Sequence, residues 1–250
     1  MLNQYLQSIL RKYSTAPRIQ QVGIAYNTLH RVLAPWAGNL LHTFQPSGSF
    51  AKGTSIILGT DLDIFFCVSH QCTDNLRDIY KKTRTRLLEA GFHPREQNVS
   101  IRVVSQGVTC DIVPARKLPG NHHQATLYRR RADTWTLTNV HNHIQLIVNS
   151  GRRDEIRLIK IWLSLNGMDL PSFFVELLIL TALIGAPYGD LSNNVIKVLQ
   201  FIQTRARTVR LIDPSNTNNI VSEDLTIQER NQLSLLASRA INGTWNQFVW

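Results

Sequence analysis

The sequence predicts an α+β protein, a mixed sheet with helices followed by a helical domain, and three observations predict it. Strand-like segments rich in aromatic and β-branched residues are confined to the first half of the chain. Apolar residues at helical spacing fill the second half, from about Leu137 onward. The composition, 43% hydrophobic with no long tract of Pro, Gly or Ser, can bury a sizeable core and excludes a disordered chain.

In chain order, the apolar spacing predicts helices from Leu2 to Leu10 and from Ile19 through Val22, Ala25, Leu29 and Leu33, the second ending near Pro35. A short strand then leads into a Gly- and Ser-bearing turn at Pro46 to Gly53, and DLDIFFCVS reads as a strand with Leu62, Ile64, Phe66 and Val68 facing the core. Residues 73 to 90 read as a basic-faced helix capped by Gly91, and two strands over about 99–105 and 108–113 turn at Gly107. After a polar, basic link from Arg116 to Arg131, helices are expected over 138–149, 152–166, 171–185, 191–204 and 226–242. The domains expected are thus 1–120, a catalytic core with its long amino-terminal helix, and 121–250, a helical domain, with a cleft between the lobes.

The longest apolar run, Phe173 to Ala186, has 14 residues and contains Glu176, short of the roughly 20 needed to cross a bilayer. It reads as a buried helix, so no membrane partner is expected. The amino terminus places its basic residues after the apolar ones, unlike a secretory signal, which points to a cytoplasmic protein. Cys67, Cys72 and Cys110 form no Cys-x-x-Cys pair and read as buried thiols. The 27 Lys and Arg against 17 Asp and Glu, a net charge of +10, favour a polyanionic partner, nucleotide or nucleic acid.

Asp61 and Asp63 flank Leu62 at the start of a strand, where period-2 alternation sends both carboxylates to one face. Two carboxylates this close repel unless cations lie between them, and hard divalent ions prefer such oxygen donors. Asp-x-Asp pairs are also common in turns and caps. Asp111 changes the balance, because it interrupts the apolar strand VTCDIVPA, where a charge is expensive without a partner or a metal. If the two strands lie side by side, the three carboxylates converge and can hold two Mg²⁺ ions, as a nucleotidyl-transfer centre does. In the turn ahead of them, Gly48 lets the backbone approach phosphate oxygens, Ser49 offers a hydroxyl, and Lys52 and Thr54 add a charge and a second hydroxyl.

GSFAKGTSIILGTDLDIFF followed by VTCDIVPA resembles the polymerase-β-like nucleotidyltransferases. The later segments IRLIKIWLSLNG, LPSFFVELL and LIDPSNTNNIVSEDLT narrow the resemblance to the template-independent branch, which holds the bacterial cGAS/DncV-like nucleotidyltransferases (CD-NTases), the oligoadenylate synthetases and the archaeal CCA-adding enzymes. The resemblance spans about residues 20 to 240. It implies a polymerase-β-like core with the cleft against the helical domain. Asp61 and Asp63 would bind two Mg²⁺ ions, with Mn²⁺ as a substitute. Asp111 would bind the catalytic one and accept the proton of the attacking hydroxyl. Gly48, Ser49, Lys160 and Ser172 would hold the triphosphate, and Phe173 would stack on a base. The implied reaction joins nucleoside triphosphates into a cyclic or linear oligonucleotide messenger of antiphage signalling and releases pyrophosphate. The alternative is an RNA or tRNA 3′-end nucleotidyltransferase, which the basic charge favours and the short chain disfavours.

The densest basic groups are Arg129 to Arg131, Arg152 with Arg153 and Arg157, Arg205 with Arg207 and Arg210, and Lys81, Lys82, Arg84 and Arg86. They read either as solvated surface or as a track for RNA. His122, His123, His141 and His143 lack the further ligands of a zinc site and read as surface or hydrogen-bonding residues.

Overall fold

The computed structural model describes residues 2–59, 61–120 and 123–243, so His122 and the carboxy-terminal Trp250 lie outside the described residues. The chain folds into two compact units. One, the sheet unit, comprises Thr15–Gly53 and Thr60–Gln145; the other, the helical unit, gathers the amino-terminal 14 residues, Thr54–Gly59 and the chain from Leu146 onward.

The sheet unit is a mixed sheet in the order β1-β2-β5-β4-β3. Its strands are β1 (Leu41–Pro46), β2 (Leu62–Val68), β3 (Arg95–Glu96), β4 (Ile101–Ser105) and β5 (Val108–Lys117). β2 and β5 run parallel, while β1 with β2 and β4 with β5 are antiparallel. One face carries the core: Leu62, Ile64 and Phe66 of β2, Val103 of β4 and Cys110 and Ile112 of β5 pack with Leu29, Leu33, Ile79 and Leu87. The last four come from α2 (Ile19–Ala37) and α4 (Leu76–Glu89). Helix α2 runs two residues past Pro35, to Ala37, and Gly38 closes it at φ +52°.

The link from Arg116 to Arg131 is not a link. β5 runs on to Lys117, and β6 (Ala125–Arg129) pairs with its far end, followed by β7 (Thr134–Thr138). These strands extend the sheet where β4 has ended, so residues expected with the helical half belong to the sheet unit. The charged residues around them mask short apolar strands: Ala125, Leu127 and Tyr128 are buried although Arg129 is exposed.

The helical unit is built from α1 (Leu2–Lys12), the end of α5 (Val140–Asn149), α6 (Arg153–Leu165), α7 (Ser172–Ala182), α8 (Leu191–Arg205) and α9 (Ile227–Asn242). The amino-terminal helix therefore joins the second unit instead of the first. Leu6, Ile9 and Leu10 of α1 are buried with Ile159, Trp162, Phe174, Ile179 and Val198. The short segment at 54–59 enters the same core through Ile56, whose neighbour Ile57 donates its N–H to the Tyr13 carbonyl at 3.0 Å. The LIDPSNTNN segment is a self-bonded loop: the buried Asp213 accepts from the Ser215 N–H and the Asn219 side-chain amide.

Candidate active site

The face of the sheet opposite α2 and α4 carries the acids. β2 and β5 pair in a register that sets Asp63 directly beside Asp111, on strands about 4.8 Å apart. Asp61, two residues earlier, is on the same side of the chain as Asp63. The three sequence-predicted carboxylates thus come together in the sheet unit. Beyond them, the same face turns apolar, with Phe65 and Cys67 packed on Ala115, Ala125 and Leu127.

The predicted Gly-Ser turn lies against this row. After β1, residues Gly48–Lys52 form a short helix, α3, and the Ser47 N–H donates to the Asp63 carbonyl at 2.7 Å. Gly48 has φ +57°, and a Cβ there would lie 1.8 Å from Asp63 Oδ2. Only glycine allows the turn to come this near the carboxylate. Ser49 and Lys52 are buried beside it in the chain.

Thr54 is placed otherwise. It belongs to the helical unit, is fully buried, and donates its hydroxyl to Glu176 Oε1 at 3.2 Å. Its hydroxyl is thus engaged within the helical unit, away from the Gly48 turn in the division of the chain. The other predicted residues of the helical unit are Lys160, half-buried on α6, Ser172, exposed in the first turn of α7, and Phe173, half-buried against the helical core.

Two residues of the site went unnoticed in the sequence, Arg102 and Gln97. Arg102 lies opposite Asp111 in the β4–β5 register. Its Nε donates to Asp111 Oδ1 at 3.0 Å and its Nη2 to Asp111 Oδ2 at 2.7 Å; the same Nη2 donates to Asp61 Oδ2 at 2.7 Å. The hydrogen bonds to Asp111, then the charges of Asp111, Asp61 and Asp63, raise the guanidinium pKa further above its ordinary value. Gln97 donates to Asp111 Oδ1 at 3.3 Å and accepts from the Ser100 hydroxyl at 3.0 Å. The Tyr80 hydroxyl of α4 fixes this loop by donating to the carbonyls of Gln97 and Ser100, and burial raises its pKa to about 12. Burial also pushes the Cys67 and Cys110 thiols up to about 12, as expected of inert core cysteines.

The signal for Arg102 was present in the chain. A two-residue turn at Gln106-Gly107, both with positive φ, joins two strands so that Ser105 faces Val108 and, three pairs on, Arg102 faces Asp111.

Several of the basic residues form ion pairs or hydrogen bonds within the protein. Arg152 is buried in an ion pair with Glu155, Arg157 donates to the Leu10 carbonyl, and Lys82, Arg84 and Arg86 pair with Asp74, Glu96 and Glu89. His123 stacks on His141 with ring centroids 4.2 Å apart.

Neither a family model nor a curated protein matches the sequence. Solved structures do. A CdnC:HORMA-deltaN complex from E. coli MS115-1 superposes with TM-score 0.75 at 19% identity, covering 98% of this chain and 93% of that one. The CD-NTase CdnG of Bradyrhizobium diazoefficiens, in complex with GTP, gives 0.70 at 12% identity over 89% of each chain. The fold is that of a CD-NTase. A third solved structure, the CdnE cyclic dinucleotide synthase of Elizabethkingia meningoseptica with GTP and Apcpp, gives 0.66 at 15% identity, covering 92% of this chain and all of the other.

Among the described residues, no group of three or more His, Cys, Asp or Glu is arranged to hold a metal ion. The donor chemistry itself, three carboxylates and no soft ligand, fits Mg²⁺ or Mn²⁺. Among the described residues, no helix is long and apolar enough to cross a membrane.

Proposed function

We propose that the protein is a template-independent nucleotidyltransferase that joins nucleoside triphosphates into a cyclic or linear oligonucleotide and releases pyrophosphate. The observation that carries this is the in-register pair Asp63–Asp111, with Asp61 beside it and Gly48 pressed against Asp63, on a CD-NTase fold. The solved structure of CdnC with ATP, 22% identical at TM-score 0.72, supports a nucleoside triphosphate as the ligand class. The role as a messenger synthase in antiphage defence, in the cytoplasm, belongs to the same proposal.

Asp61, Asp63 and Asp111 are the residues that would hold two Mg²⁺ ions, which supply a lowered hydroxyl pKa and charge neutralisation at the departing pyrophosphate. Asp111, buried and oriented by Gln97 and Arg102, would accept the proton of an attacking ribose hydroxyl. The turn at Gly48 and Ser49 would hold the triphosphate in line for attack at its α-phosphate. Lys160 and Ser172 are proposed for the distal phosphates and Phe173 for a base; the nucleotide affinities of Lys160→Ala and Phe173→Ala test these assignments.

Incubation with labelled triphosphates and Mg²⁺ or Mn²⁺, with and without tRNA, tests the reaction. Phosphatase-resistant small products, identified by mass spectrometry, are expected together with pyrophosphate. Label in RNA would assign a 3′-end transferase instead, and absence of any product across all mixtures rejects the enzyme.

A further inference from the structure

Arg102 stands where the chemistry of the site calls for a cation. The guanidinium is shared between carboxylates from two separated parts of the chain, and one nitrogen, Nη2, reaches both Asp61 Oδ2 and Asp111 Oδ2 at 2.7 Å. A divalent ion bound by the three acids would need lone pairs of these same two carboxylates. Arginine stays protonated at any working pH, so it can leave these oxygens only by moving. Mobility is available to it: the Arg102 side chain is 38% exposed and that of Asp61 42%, whereas Asp111 is 10% exposed.

We propose that Arg102 is a positioning residue and built-in counter-cation that holds Asp61 and Asp111 together in the metal-free protein, and that divalent ions must displace its Nη2 from Asp61 to load. The fork to Asp111 through Nε is kept, so the residue continues to orient Asp111 after loading. Arg102 thereby sets the threshold of divalent concentration at which the site fills. This rests on the reading of the three acids as the metal-binding set.

The test is Mn²⁺ binding to the full chain without nucleotide, read by loss of the free-ion electron paramagnetic resonance signal, alongside thermal unfolding with and without Mn²⁺. Arg102→Gln is expected to bind Mn²⁺ roughly tenfold or more tightly than the wild type, on the order of effects seen when groups bonded to metal ligands change. Its melting temperature without metal should fall and its gain on adding Mn²⁺ should exceed that of the wild type. Arg102→Lys, which keeps the charge but not the fork, should fall between the two and serves if Arg102→Gln does not fold. Unchanged or weaker Mn²⁺ binding in the folded variant overturns the proposal. Asp61→Asn and Asp111→Asn separate the two readings: if they bind Mn²⁺ as the wild type does, the acids are not the metal set, whatever Arg102 does.

Discussion

An arginine joins carboxylates to their surroundings in each unit, Arg152 in one and Arg102 in the other, and the two clusters differ in what surrounds them. In the helical unit, Arg152 is 5% exposed and stacks over the Tyr188 ring, 4.2 Å from its centroid. It donates to Glu155, to the Pro187 carbonyl at 3.0 Å and to the Ala186 carbonyl, while Asn194 donates to the same Glu155 oxygen at 2.9 Å. One charge meets one charge, and carbonyls take the remaining donors. In the sheet unit, Arg102 meets two carboxylates at once and stays partly in water. A closed, neutral cluster serves to hold the fold together. An open, part-exposed cluster of acids is fit to bind something else.

The largest expected difference lies in activity. Asp63→Asn should abolish nucleotidyl transfer with little change in the thermal midpoint, and Asp61→Asn should do the same; an active Mg²⁺-dependent double variant would remove the site from the acids. Next comes stability. Glu155→Gln or Arg152→Met leaves a buried group without its partner and should cost about 3–5 kcal/mol in urea unfolding, whereas Arg102→Met, whose side chain is 38% exposed, should cost less. Equal losses at both positions would mean the two clusters do the same structural work.

Gly48→Ala should act in both senses at once. Its positive φ alone costs about 1–2 kcal/mol, and the new methyl must push Asp63 aside, so activity should fall well beyond what the stability change explains. Steady-state rates at a temperature where the variant is fully folded check this. The smallest effect concerns pH in the helical unit. The Thr226 hydroxyl and N–H hold the Glu229 carboxylate below its ordinary value of 4.5. The stabilisation is therefore present above that value and is lost as pH falls through the lowered one. Thr226→Ala should weaken the protein at neutral pH and weaken it less in acid, where only the cap bond to the Glu229 N–H is still lost; urea unfolding at the two pH values checks this.

The acids were legible because Asp111 is a charge in an otherwise apolar strand and Asp61 and Asp63 open one. The fold class and nearly all of the helices were legible from periodicity. The segment at 54–59 was not: nothing local marks Thr54 and Ile56 for the helical unit, since only their burial there, among residues distant in the chain, decides it. The β6–β7 hairpin hid because its apolar residues are few and its ends are charged. Arg102 hid among many arginines, although the turn length alone implies what it faces.

That turn also fixes an order of assembly. A hairpin closed by Gln106-Gly107 forms locally, within about 1–10 μs, and brings Arg102 to Asp111 as soon as it exists. Asp63 arrives only when the parallel β2–β5 pairing closes a long stretch of chain, a slower event. Pulse-labelled hydrogen exchange during refolding should find β4 and β5 amides protected before those of β2. The nascent chain then never has to gather three bare carboxylates: the second and third acids join one that is already neutralised.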